Sequence, residues 1–210
     1  MESWGSWFRD ASQVKFELFR RWGVLPAAGD RHLVEFVPGF TRSPEELFRW
    51  GVIRTPISYR KQRWVDAREE TLDILAGRTP FELYASGEEG VEQMRALVGL
   101  GSLVTNVNMP NVGQITNLPR EAVVETNAHF SRDQVRPLVA GALPPGPQGI
   151  IAQHVANQET IIEAALRRDK DLAFQAIYND PANRLPVDKA WTMFCEMLDA
   201  TRDALPGFAI

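Results

Sequence analysis

The chain has 210 residues, of which 44% are hydrophobic and 24% charged, and its formal net charge is −4. A globular chain of this length buries roughly 70% of its unfolded surface, and we predict a single domain over residues 1–210 with residues 1–13 as a possible tail. The acidic balance argues against nucleic acid as a partner, because phosphate backbones are held by clustered positive charge. No run of ~18 apolar residues and no secretory-signal pattern is found, so we expect a cytoplasmic protein without membrane contact.

Helical spacing of apolar residues and local stop signals predict a helix-rich first half. Gly23 ends the first helix, Asp30 is a predicted N-cap for the short helix RHLVEF, and Ser43 with Glu46 in SPEE marks the next helix start. The helices predicted here cover residues 11–22, 31–36, 44–51 and 59–76, with another that begins near residue 88.

The pattern changes in the middle of the chain. SLVTNVNM and AVVET alternate like strands, QITNL is short and extended, and PNVG has the composition of a turn. We predict two or three antiparallel strands there, followed by helices over residues 147–168, 169–178 and 187–204. The fold class is therefore α+β, with helices dominating and a small central antiparallel sheet.

Motifs for common chemistries are absent from the sequence. Neither a glycine-rich dinucleotide loop nor a phosphate loop is present, and zinc-binding HExxH or CxxC spacings and a GxSxG elbow are missing. With three histidines and the single cysteine Cys195, a complete metal site built by this chain is not expected. These absences favour a binding surface or one part of a larger site.

Among the ionisable residues, His32 is the candidate catalytic group, although a lone histidine near an apolar helix is more often structural. Its predicted place in the first turn of a helix disfavours the imidazolium ion and keeps the ring neutral, as a general base requires. Arg31 and Glu35 are four residues apart and fit an ordinary surface pair. His129 and His154 have no partners at ligand spacing, and we expect structural or surface roles for both.

The segment TNVNMPNVGQITN is rich in asparagine and includes Asn108, Asn111 and Asn117. Asparagine tolerates left-handed backbone and builds turns, which predicts a loop-shaping role. Its amide also donates and accepts hydrogen bonds at once, which suits sugar hydroxyls. The composition leaves both interpretations open.

Several of these segments resemble glycoside hydrolase family 4, the NAD- and divalent-metal-dependent glycosidases. VNMPNVGQITNLPREAVVET is similar to the signature of their C-terminal half, whereas AAGDRHLVEFVPGF and GALPPGPQGIIAQHVANQETIIEAAL resemble the alpha-galacturonidase-like branch. The resemblance implies a fold like the C-terminal domain of lactate and malate dehydrogenase-like proteins. It also implies that the N-terminal domain that binds NAD and the metal, Mn²⁺ in our prediction, is absent from this chain.

The resemblance further implies a mechanism and a set of site residues. In the family, NAD removes hydride from sugar C3, a base takes the acidified C2 proton, and the metal steadies the resulting enediolate. The aglycone then leaves C1, and water and the hydride are returned to the sugar. His32 stands where many members place a tyrosine base, and a neutral imidazole is an easier base at neutral pH than a phenol of pKa ~10. The predicted substrate-binding residues are Asp30, Arg31, Asn108, Asn111 and Asn117.

Three hypotheses for function follow. The chain is the substrate-side half of a split glycosidase, inactive alone, with a separate NAD-binding subunit and a glycoside substrate such as an alpha-galacturonide. Alternatively it is a stand-alone carbohydrate-binding or regulatory protein, or a structural remnant whose exposed face is covered in a homo-oligomer by the aromatic start SWGSWF. We expect a homo-oligomer.

Overall fold

A computed structural model describes residues 12–83 and 87–208, and it confirms the predicted α+β class. Within these ranges it contains eight α-helices and one three-stranded antiparallel sheet. The chain divides into two compact units, the first formed by residues up to 52, 110–124 and from 139 onward, and the second by residues 53–109 and 125–138. The aromatic start SWGSWF lies outside the described residues.

The first unit contains six of the helices. Its elements are α1 (Gln13–Trp22), α2 (Asp30–Phe36), α3 (Pro44–Arg49), α6 (Pro145–Arg167), α7 (Lys170–Tyr178) and α8 (Val187–Ala200). Each was predicted from the sequence to within a few residues. A 3₁₀ turn, Arg202–Ala204, follows α8 where the sequence predicted a continuous helix.

The core of the first unit explains why α1 and α2 form. Val14 and Leu18 lie one turn apart on α1 and are buried with Leu33 and Val34 of α2. Gly23 ends α1 in the left-handed conformation with φ of 73°, a backbone shape that glycine adopts without steric cost. The short helix α2 is therefore stabilised mainly by packing, since an isolated helix of this length is marginal in water.

The second unit contains α4 (Ile57–Leu75), α5 (Gly90–Leu97) and most of the sheet. The strands are β1 (Leu103–Pro110), β2 (Val123–Ser131) and β3 (Gln134–Pro137), in the spatial order β1-β2-β3. Ala128 and Phe130 of β2 face inward and pack with Ala96 of α5. No residue of α4 is buried.

Two local predictions were wrong. QITNL is not a strand: Ile115 makes only an isolated bridge to Gly141, and the third strand is β3 instead. Asp30 is not the N-cap of its own helix, because Gly29 occupies that position. The Asp30 carboxylate instead accepts a hydrogen bond from the backbone N–H of Val14 in α1. No described helix is long and apolar enough to cross a membrane.

Candidate functional site

Asp30 joins the starts of α1 and α2. Its side chain is 3% exposed, and its two oxygens accept hydrogen bonds from the backbone N–H groups of Val14 at 3.0 Å and Lys15 at 2.9 Å. These amides belong to the first turn of α1, which has no intrahelical acceptor for them. Asp30 therefore caps α1 from sixteen positions away, and it fixes where the first turn of α2 lies.

His32 lies in that first turn with its side chain in solvent. The side chain is 71% exposed, and Nδ1 lies 3.4 Å from the Glu35 carboxylate. The neighbouring Leu33 and Val34 are buried in the core of the first unit. One face of α2 is thus packed in the core, and the imidazole lies on the opposite, exposed face. Arg31, the residue before His32, is half-buried.

His154 holds the far end of α2. Its Nε2 donates to the carbonyl oxygen of Phe36 at 2.8 Å, and the two rings meet edge to face with centroids 5.2 Å apart. Phe36 is the last residue of α2, where carbonyl groups lack intrahelical donors. The structural role predicted for His154 is therefore confirmed. Its hydrogen bond to α2 could not be predicted from the sequence, because Phe36 lies 118 positions away.

Asn111 organises the asparagine-rich loop through its side chain. It is 1% exposed; its Nδ2 donates to the carbonyls of Ile115, Leu118 and Pro119 at 2.9–3.1 Å, and its Oδ1 accepts from the N–H groups of Gly113 and Ile115. One amide thus satisfies five backbone groups in a segment without regular ladder hydrogen bonds. A contact with a sugar would have to replace some of these bonds.

Gln114 is a second buried amide of this loop, and we did not single it out from the sequence. Its Oε1 accepts from the N–H of Val112 at 2.6 Å, and its Nε2 donates to the carbonyl of Pro110 at 2.9 Å. The side chain is 2% exposed. The composition of the segment was the available signal, because a loop that cannot use ladder hydrogen bonds needs side-chain amides instead.

Asn117 and Asn108 occupy different environments. The exposed Asn117 makes two hydrogen bonds with the main chain of Leu143. Its Nδ2 donates to the Leu143 carbonyl oxygen at 2.8 Å, and its Oδ1 accepts from the Leu143 N–H at 2.9 Å. Gln148 of α6 also donates to the Asn117 carbonyl at 3.3 Å, so the loop is tied to the start of α6. Asn108 lies on the exposed face of β1 in the second unit.

The described residues do not form a metal site. No group of three or more His, Cys, Asp or Glu side chains in residues 12–83 and 87–208 is placed to hold an ion. Cys195 is half-buried on α8 beside the buried Phe194. We therefore assign no step of NAD or metal chemistry to these residues.

The sequence profile of the family 4 glycosyl hydrolase C-terminal domain matches residues 1–183. The chain belongs to glycoside hydrolase family 4. It is 48% identical over 205 residues to an alpha-galacturonidase of Thermoanaerobacterium saccharolyticum, and the match covers 97% of this chain but 44% of that protein. This chain thus spans less than half the length of the curated relatives that it matches.

Solved structures of the family agree with this assignment. A crystal structure described as a glucosidase of Bacillus subtilis superposes with a TM-score of 0.85 at 46% identity, over 91% of this chain and 45% of that one. A 6-phospho-alpha-glucosidase from gut microorganisms, solved with NAD and Mn²⁺, has a TM-score of 0.62 at 19% identity, over 77% of this chain and 38% of that chain. The second comparison shows a shared fold alone.

Proposed function

We propose that this chain is the substrate-side half of a family 4 glycosidase that acts on alpha-galacturonides with NAD and a divalent metal ion. Family membership and the 48% identity to an alpha-galacturonidase support the substrate class. The part of the longer relatives that lies outside the match is proposed to correspond to the region that supplies the cofactor and the metal. The present chain alone is then inactive.

The exposed ring of His32 is the observation that carries this proposal. A general base must come within ~2.6–3.2 Å of the proton that it removes, and the packed face of α2 holds this imidazole outward with its side chain 71% exposed. Glu35 lies beside Nδ1, which leaves Nε2 to accept the proton from sugar C2.

Arg31 is the proposed partner of the uronate carboxylate. A guanidinium group forms paired hydrogen bonds with a carboxylate, a geometry that a neutral sugar does not offer. Arg31 directly precedes His32 in the first turn of α2, so both side chains start from the same short stretch of backbone. Asp30, Asn111 and Asn117 support the substrate site of the first unit through the backbone that they hold, and the substrate-binding role of Asn108 stays a prediction.

Reconstitution tests the proposed function. The chain would be mixed with a separately produced first half of the Thermoanaerobacterium saccharolyticum alpha-galacturonidase, together with NAD, Mn²⁺ and a reductant, and assayed on 4-nitrophenyl alpha-galacturonide. We expect activity in the mixture and in neither half alone. His32→Gln should lower kcat/KM of the mixture by roughly 10²–10⁴-fold, the usual contribution of a general base.

His129→Gln is the matched control, because His129 is a half-buried histidine on β2, and it should leave the activity within about twofold. Arg31→Gln should raise KM for the galacturonide more than for the corresponding galactoside. No activity on mixing, repeated with the two halves joined in one polypeptide, would contradict the proposed function. Equal losses in the His32 and His129 variants would instead remove His32 as the base.

A further inference from the structure

Phe36 is an exposed aromatic residue on the same side of α2 as His32. The two residues are four positions apart, a spacing that places side chains next to each other on a helix with about 5–6 Å between their Cβ atoms. Phe36 is 48% exposed, whereas Leu33 and Val34 of the same helix are 7% and 3% exposed. The exposed face of α2 therefore carries an aromatic ring one turn beyond the candidate base.

His154 of α6 fixes the position of the Phe36 ring. Its Nε2 donates to the Phe36 carbonyl oxygen at 2.8 Å, and the two rings meet edge to face, with an interplanar angle of 82° and centroids 5.2 Å apart. One side chain thus contacts both the main chain and the ring of Phe36. An edge-to-face contact leaves at least one face of the Phe36 ring clear of His154.

His154 lies on a part of α6 that is packed in the core of the first unit. Val155, the next residue, is 8% exposed, and Ile150, one turn earlier, packs against the same cluster as Leu33. A single exposed apolar side chain is ordinary on a protein surface. A ring that is both exposed and held in place by a packed helix is suited to one defined contact, because its orientation is set before a ligand arrives.

The order of side chains along α2 matches the order of groups in an alpha-galacturonide. The proposed function pairs Arg31 with the carboxylate on C5 and His32 with the proton on C2. In a pyranose ring C5 lies across from C2, whereas C1, which carries the aglycone, is bonded to C2. The aglycone therefore lies on the C2 side of the sugar. Phe36, the last residue of α2, lies about 6 Å beyond His32 along the helix axis, on the side away from Arg31.

An aromatic ring is a suitable contact for an aglycone that itself contains a ring. The faces of an aromatic ring carry partial negative charge, which attracts the weakly positive C–H groups of a sugar face or of an aryl edge. Ligand sites combine such rings with a few polar groups that fix the orientation of the ligand. A methyl aglycone has too little surface to use the same contact.

We propose that Phe36 binds the aglycone of the substrate and that His154 is the positioning residue for its ring. The class of aglycone is one with an aryl or sugar ring. This inference rests on the proposed function, because the assignment of the C2 proton to His32 determines where the aglycone lies. It makes Phe36 a specificity-determining residue, which selects among galacturonides by the group that leaves.

Two substrates that differ in the aglycone test this role. In the mixture of the two halves with NAD and Mn²⁺, galacturonate release would give kcat/KM for 4-nitrophenyl and for methyl alpha-galacturonide. The ratio of the two values is the aglycone preference. Phe36→Leu should lower this preference by about tenfold, the scale of one apolar contact in a binding pocket, mainly through a higher KM for the nitrophenyl substrate.

Two further variants control for the change at Phe36. Phe36→Tyr keeps the aromatic ring and should keep the aglycone preference within about twofold of the unmodified chain. Phe19→Leu is the matched control, because Phe19 is 45% exposed on α1 of the same unit. It makes the same chemical change at a similarly exposed ring and should also leave the preference within about twofold.

A double-mutant cycle tests the positioning role of His154. His154→Gln keeps a donor for the Phe36 carbonyl but removes the contact between the rings. It should lower the aglycone preference when Phe36 is present and have no further effect on the preference in Phe36→Leu, because the two residues act through one contact. A merely structural role would instead lower activity on both substrates alike.

The outcomes separate this inference from the proposed function. If the unmodified mixture is active, an unchanged preference in Phe36→Leu, or equal losses on both substrates, would overturn the aglycone role. The same fall in Phe19→Leu would overturn it as well. Independent effects of His154→Gln and Phe36→Leu on the preference would remove His154 as the positioning residue. An unmodified mixture that hydrolyses neither substrate would contradict the proposed function, and this inference with it.

Discussion

Replacing Asp30 with alanine removes the acceptor for two backbone N–H groups of α1 at once. Hydrogen bonds to a charged acceptor contribute ~1.5–3 kcal/mol each, and a buried donor left without a partner costs a comparable amount. The loss of a helix cap costs ~0.5–2 kcal/mol in general. Because the Asp30 carboxylate is 3% exposed and makes two such bonds, we expect Asp30→Ala to lower the free energy of unfolding by about 3–5 kcal/mol.

Urea unfolding followed by circular dichroism and tryptophan fluorescence measures this loss. Total stabilities of ~5–15 kcal/mol make a change of this size a large shift in midpoint. Asp30→Asn keeps one acceptor oxygen and should lose about half as much. Glu159→Ala, on the exposed surface of α6, is the control and should change the stability by less than ~0.5 kcal/mol. A loss below about 1 kcal/mol for Asp30→Ala would refute the capping role.

Three further predictions concern stability. Asn111→Ala leaves five backbone groups without their side-chain partner and should cost about 2–4 kcal/mol in urea unfolding. Ser43→Ala removes the cap that accepts from the N–H of Glu46 and should cost about 1 kcal/mol in thermal unfolding. The same change should raise the pKa of Glu45, measured by NMR, since the Ser43 side chain is the main cause that lowers this pKa. Gly99→Ala should cost about 1–2 kcal/mol, because φ is +83° and the new Cβ would lie within 3 Å of the Arg132 guanidinium.

Each of these predictions has a result that contradicts it. Asn111→Ala should cost more than Asn117→Ala, because Asn117 is exposed and bridges a single residue; the reverse order would argue against the loop-organising role. An unchanged Glu45 pKa in Ser43→Ala would remove the assigned cause. Gly77→Ala controls for backbone strain, since its φ is +72° and its Cβ would meet nothing within 4 Å. Equal losses at Gly77 and Gly99 would show that Arg132 moves aside freely.

Local signals in the sequence were sufficient for most of the helices. Ser43 caps α3 through the N–H of Glu46, and Gly23 ends α1 in the left-handed conformation. Both residues act within four positions of the group that they satisfy, so a pattern read along the chain captures them. The side chain of Asp169 caps α7 in the same local way.

Interactions between distant residues were not predictable in this way. The sequence pattern assigned Asp30 to the N-cap of its own helix, because its partners Val14 and Lys15 lie 16 and 15 positions earlier in the chain. The strand β3 is four residues long and is defined by its pairing with β2, for example Val135 with Phe130. A segment so short has little periodicity of its own, and tertiary pairing decides its conformation.

The residues of the candidate site were also predictable only in part. The sequence pointed to Asn111 and Asn117 but left open whether their amides shape the backbone or face a sugar, because composition does not encode where a side chain points. The structure places both amides on backbone groups, and the substrate-binding roles stay predictions. His32 was singled out by its predicted place in the first turn of a helix, the family resemblance strengthened that hypothesis, and its catalytic role also stays a prediction.

The most direct test of the account is the fate of the sugar C2 hydrogen in the reconstituted mixture. Hydrolysis of 4-nitrophenyl alpha-galacturonide would be run in D₂O, and deuterium at C2 of the released galacturonate measured by NMR and mass spectrometry. If His32 takes the C2 proton, the product gains deuterium at C2, and His32→Gln loses this incorporation together with turnover. Product that retains its original C2 hydrogen would contradict the account.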